Sequence, residues 1–157
     1  GSVAVQLVDG SSWAGGIVPA NPHSAAVGEI REQGDILARW RGMTGPWGGD
    51  WLISGGQAYF GDPNWRFTAM HVPQQFRDIH CGEQHFQVWR TPASCSVDEL
   101  VERLGDRLFI PGQSGMGIFP QCWLHAPGMS GYGIVMAIGS DRSHTHELKR
   151  EFQKLLA

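Results

Sequence analysis

The sequence predicts an α+β fold: a mixed sheet with one short central helix and a C-terminal amphipathic helix. Three observations carry this. Phe86-Gln87-Val88-Trp89-Arg90 and Gly133-Ile134-Val135-Met136-Ala137-Ile138-Gly139 are short runs of sheet-favouring residues, the second apolar enough for a strand buried on both faces. Between them Ser96 and Glu99 form a capping box, Val97, Leu100, Val101 and Leu104 follow at helical spacing, and Gly105 supplies the stop. From Ser143, itself an N-cap candidate, Leu148, Phe152, Leu155 and Leu156 share one helical face.

The remaining elements follow in chain order. Val3 to Val8 alternates and predicts an edge strand, and residues 19–34 read as loop. Asp50 to Phe60 places two sheet-favouring runs around Gly55-Gly56, the signature of a tight hairpin. Trp65, Phe67, Ala69 and His71 alternate with Arg66, Thr68, Met70 and Val72, predicting a strand that Pro73 ends. Thr91-Pro92 closes the strand at Phe86, and Arg107–Ile110 and Met116–Leu124 read as extended.

Composition divides the chain. Residues 1–62 hold 13 of the 22 glycines, and residues 40–89 hold ten of the sixteen aromatics. We therefore expect a Gly/Trp-rich, loop-rich segment over 1–62 that wraps or extends an α+β core domain over 63–157. With 157 residues, 17% of them charged, and seven tryptophans, the chain is built to fold as one domain and not to stay disordered. A net charge of −3 does not suit a protein that grips nucleic-acid phosphates. No run reaches the roughly 18–20 apolar residues of a membrane span, and the start lacks a signal peptide's basic and apolar regions. Gly1-Ser2 reads as a cloning remnant, which leaves open a removed leader or a longer parent protein. Cys81, Cys95 and Cys122 are an odd, sparse set, read as reduced thiols of an intracellular, cytoplasmic protein, with one disulfide plus a free thiol as the alternative.

The order of elements from about Trp65 to Gly139, and Phe86–Pro92 leading into Ser96–Val101 in particular, resembles the ubiquitin-like β-grasp. There a hairpin feeds a helix packed across a mixed sheet. The chain ends in Leu155-Leu156-Ala157 where ubiquitin-like modifiers end in Gly-Gly, so the resemblance implies a binding scaffold and not a conjugated modifier.

Residues able to carry chemistry form a few groups. Cys81, His85, Cys122 and His125 offer four zinc donors in two pairs, although residues three apart on a strand point to opposite faces. Cys81-Gly82-Glu83 with Pro120-Gln121-Cys122-Trp123-Leu124-His125 loosely resembles the zinc-dependent nucleobase deaminases, which would make Glu83 the proton shuttle. Gln121-Cys122-Trp123 resembles the surroundings of papain-like nucleophiles, with His144 or His146 and Asp141 as partners. The spaced glycines Gly115/Gly117 and Gly131/Gly133 complete no phosphate loop.

Trp47, Trp51, Tyr59 and Phe60 form an aromatic region around Gly45-Pro46-Trp47-Gly48-Gly49. Loop tryptophans of this kind are either pinned onto the domain or presented to a partner. No catalytic set is complete. The expected function is therefore a non-catalytic protein-interaction or assembly module. It would meet a protein partner, or a second copy of itself, through this aromatic region, a sheet edge or the C-terminal helix. The alternative is a zinc-dependent, deaminase-like or cysteine-dependent enzyme using Cys81, Glu83, Cys122 and His125.

Overall fold

A computed structural model of the chain describes all residues except 1, 2, 11, 19, 21–23, 41, 43, 65–67, 69 and 130. Five strands make the main sheet in the order β1 (Val5–Asp9), β2 (Ser12–Val18), β5 (His85–Ala93), β7 (Gly131–Gly139), β6 (Gly117–Leu124). Every pairing in it is antiparallel, so the expected mixed sheet is corrected to an antiparallel one. The parallel element is a single bridge, Leu108 to Ile118. β1 takes the edge position that its alternation predicts.

The sheet is covered on both faces. On one, Trp89, Val135, Ala137 and Ile118 pack under Leu100 and Leu104 of α3 (Val97–Leu104) and Leu148 and Phe152 of α4 (Arg142–Leu156). On the other, Phe86, Val88, Met136 and Ile138 meet Phe109 and Phe76 of α2 (His71–His80). Phe76 stacks on Phe119 at 4.2 Å. Val135 to Ile138 are all fully buried, as the unbroken apolar run requires. β5 runs through Pro92, past the residue expected to close it. That is tolerated because β2 pairs with β5 only as far as Trp89, leaving the side that lacks an N–H unpartnered. Pro120 likewise lies on edge strand β6, beside a register shift.

Two helices were not expected. Residues 25–40, within and beyond the supposed loop, form α1 (Ala25–Trp40), which buries Ala26, Val27 and Ile30 along one face despite Gly28 and Gly34. Met70 to Val72 do not continue a strand: Met70 is the N-cap of α2 and His71 begins it. Pro73 falls in the first turn, where a missing N–H costs no helical bond. Trp65, Arg66, Phe67 and Ala69 of that expected strand lie outside the described residues.

Residues 1–62 are thus not loop-rich. They supply β1, β2, α1 and a separate hairpin of β3 (Gly48–Ser54) and β4 (Gln57–Asn64), and the expected boundary at 62/63 falls inside β4. Gly55 and Gly56 make the hairpin turn with φ of 60° and 82°, a pair of positive values that favours glycine. α1 docks on the hairpin's inner face, where Ala26 and Ile30 meet Ala58, Trp51 and Val3. Glu29 accepts the Ala58 backbone N–H at 3.2 Å.

The helix caps are as local chemistry dictates. Ser96 Oγ accepts from the Glu99 N–H at 3.2 Å. At α4 the cap is Asp141 and not Ser143, because its Oδ1 reaches the His144 N–H at 2.9 Å from an extended backbone.

Two expected outcomes follow. Phe152 is fully buried and meets the Trp89 and Trp123 rings edge-on at 5.5 and 6.3 Å. Phe152→Ala should cost about 3–5 kcal/mol in chemical denaturation, and a loss near zero would contradict this packing. The Asp141 carboxyl is held below its ordinary range by the His144 and Ser140 hydrogen bonds. A lowered native pKa contributes stability above the unfolded-state value and loses it as pH falls through the native one. Wild type should therefore exceed Asp141→Asn in urea midpoint near neutrality, with the gap closing in acid; a pH-independent gap would refute this.

Candidate ligand cleft

The α1–hairpin unit and the main sheet do not close fully on each other. Between them lies a cleft of ≈ 850 Å³. One wall is the β1–β2 edge, with Val5, Gln6 and Trp13. The facing wall is α1, with Val27, Ile30, Arg31, Gly34 and Asp35. The base of the hairpin (Trp47 to Trp51, Asn64) and the start of α2 (Met70, His71, Gln74, Asp78) complete it. Its volume is in the ordinary range for small-ligand sites, which concentrate where two units meet.

The aromatic residues divide between the cleft and the outside. Trp47 is half-buried and lines the cleft. A methyl group at Gly34 would stand 3.8 Å from its ring, and one at Gly49 3.6 Å, so the indole is seated between α1 and the hairpin. Trp51 also lines the cleft and meets Phe60 edge-on at 4.9 Å. Tyr59 is 50% exposed on the hairpin's outer face opposite Leu52, which is 67% exposed. Its hydroxyl donates to Gln57 Oε1 at 2.9 Å. Phe60 is 39% exposed. Of the four residues singled out from sequence, two therefore belong to the cleft and two stand outside it.

The carboxylates of the cleft come from three elements. Asp35 is on α1, Asp50 accepts from Asn64 at 3.3 Å, and Asp78 lies 3.6 Å from Arg77. His71 Nδ1 accepts the Thr68 backbone N–H at 2.8 Å, which puts the ring proton on Nε2. Gln6, Trp13, Arg31, Asp35, His71, Gln74 and Asp78 were not expected from sequence. The available signals were the Ala26, Val27, Ile30 spacing for α1, and Pro73 read as a first-turn proline for α2.

The proposed zinc ligands are not brought together. His85 opens β5 opposite Gly139, whereas His125 Nδ1 lies 3.2 Å from the Ala93 carbonyl at the other end of β5. Eight residues of strand put the two about 26 Å apart. Cys81 is buried at the end of α2, and Cys122 is half-buried on β6 opposite Ile134. Glu83, 3.8 Å from Arg77, precedes β5 at its His85 end, whereas Cys122 stands across Ile134 from Arg90, five residues further along that strand. Among the described residues no group of three or more His, Cys, Asp or Glu is placed to hold a metal ion. Burial pushes the Cys81 thiol up, with Arg77 opposing, and the Cys95 thiol up, with Glu99 reinforcing. The papain-like arrangement also fails. His144 packs at Gly139, five residues along β7 from the partner of Cys122 and so about 17 Å away. Asp141 is spent on capping α4.

No protein-family model and no curated protein matches the chain. Among solved structures it is similar to one described as the ADP complex of PurK, N5-carboxyaminoimidazole ribonucleotide synthetase. The TM-score is 0.67 at 15% identity, over 97% of this chain and 44% of that one. The likeness is one of fold. The chain spans less than half the length of that protein. No helix among the described residues is long and apolar enough to cross a membrane.

The seat of Trp47 is testable at Gly34. An alanine there makes an ordinary contact with the indole and removes a helix-interior glycine, so Gly34→Ala should stabilise by about 0.5–1 kcal/mol in urea unfolding. Gly34→Leu should instead unseat the ring and red-shift the tryptophan emission. Opposite signs, or no spectral change, would contradict this placement.

Proposed function

We propose that the chain is a non-catalytic binding module acting through its aromatic hairpin, Trp47 to Phe60, on a protein partner or on a second copy. The observation that carries this is the outer face of the hairpin. Leu52 and Tyr59 stand opposite each other there, 67% and 50% exposed, while the inner face is taken up by α1. An apolar cross-strand pair left in water on a two-stranded sheet is the kind of surface that partners cover. The β-grasp likeness of residues 65–139 belongs to the same proposal: β5, α3, β6 and β7 are read as a scaffold with a helix across the sheet that carries the binding elements. An intracellular setting is part of it too, supported by three unpaired thiols, two of them buried.

The test is a double substitution, Leu52→Arg with Tyr59→Arg, at positions whose exposure leaves the core intact. Loss of at least about tenfold in partner recovery from the source cell, or in self-association by light scattering, is expected. Unchanged size together with unchanged recovery would overturn it.

A second reading is favoured by the PurK structure, whose description names ADP, and by the cleft. On it the chain is the nucleotide-holding part of a longer protein. ADP binding by calorimetry, weakened by Arg31→Glu, would support this reading; no heat at millimolar ADP would remove it.

A further inference from the structure

We propose that the cleft between α1, the base of the hairpin and the β1–β2 edge is a site for a small organic cation with an apolar body. The inference rests on the cleft being a ligand site, which the hairpin proposal does not require, and it competes with the nucleotide reading of the same space. Two independent features of the lining point the same way.

The first is aromatic. Trp13, Trp47 and Trp51 reach the cleft from β2, from the segment before β3 and from β3 itself. Indole faces are the best side-chain partners for an alkylammonium or guanidinium group, and they also receive its hydrocarbon part. The buried residues at the back of the cleft, Ala20, Val27 and Ile30, extend the apolar surface.

The second is charge. Asp35, Asp50 and Asp78 line the same cleft from three different elements, against one guanidinium, Arg31, among the described lining residues, with Arg77 pairing Asp78 at 3.6 Å from beside the lining. All three carboxylates are exposed residues. A polyphosphate entering here would bring negative charge against them, whereas a cation gains from each. A neutral apolar ligand would use the tryptophans and gain nothing from the carboxylates. Only a cation uses both sets.

The test titrates the folded protein by calorimetry with choline, with 3,3-dimethylbutan-1-ol (its neutral carbon isostere) and with ADP. Choline should bind at least about tenfold more tightly than the isostere. The charge-reversed variant Asp35→Lys with Asp78→Lys, its fold checked by circular dichroism, should lose that advantage. Equal affinity for the two isosteres, an advantage unchanged in the variant, or no choline binding would each overturn the proposal. ADP binding without choline binding would overturn it while upholding the nucleotide reading, and binding of neither would remove both.

Discussion

Burying β7 on both faces obliges the chain to cover its sheet twice. Val135, Met136, Ala137 and Ile138 alternate between the faces and are all fully buried. Each such side chain contributes about 1.5–3 kcal/mol only while its own face stays dry, with Ala137 contributing less. α3 and α4 keep one face dry and α2 with Phe109 the other. The placement of nearly every C-terminal element follows from that requirement. The bridge at Leu108 and the backbone bond from Phe109 N–H to the Ile118 carbonyl hold Phe109 against the second face. Trp123 closes the first by donating its indole N–H to the Cys95 carbonyl at 2.9 Å. Lys149 lies across Trp89 at 5.5 Å, and desolvation there lowers its pKa.

The hairpin answers to a different constraint. Two strands alone are marginal in water, so β3 and β4 need a cover, and α1 supplies it through Ala26, Ile30 and the Glu29 carboxylate. A two-stranded sheet with one helix has only one face served. Leu52 and Tyr59 are left outside by that arithmetic, and the unit meets the main sheet through Val3 without merging with it. The cleft is the space between two separately packed cores.

What the sequence made legible depended on how locally each element is determined. α3 was readable to the residue because capping box, apolar spacing and terminal glycine lie within ten positions and need no tertiary partner. β7 was readable from its run of apolar residues, and the hairpin from Gly55-Gly56. α1 was not, because Gly28 and Gly34 lower helix propensity and its buried face is only Ala26, Val27 and Ile30, a narrow stripe fixed by the hairpin it covers. α2 was hidden by Pro73, which ends a strand and starts a helix with equal ease. The aromatic half of the cleft was visible as Trp47 and Trp51. Much of its polar half, Arg31, Asp35, His71, Gln74 and Asp78, sits on α1 and α2, and so went unread with them. The antiparallel sense of the sheet is a property of chain routing that no local window contains.

Three of the glycines, Gly34, Gly49 and Gly133, are tied to tryptophan rings. An indole needs a broad flat seat, and a neighbouring Cβ denies it one. Gly49 lies where a methyl would meet Trp51 at 3.0 Å, Phe60 at 3.1 Å and Trp47 at 3.6 Å, and Gly34 leaves α1 open to the other side of Trp47. On the main sheet Gly133 stands under Trp123, where a methyl would overlap the ring. A side chain at Gly49 or Gly133 would have to displace the neighbouring ring, whereas an alanine at Gly34 would only touch it. The Gly/Trp-rich character of the N-terminal third is accordingly not a sign of loose chain. Within it Gly34 and Gly49 leave room for Trp47 and Trp51, whose rings line the cleft.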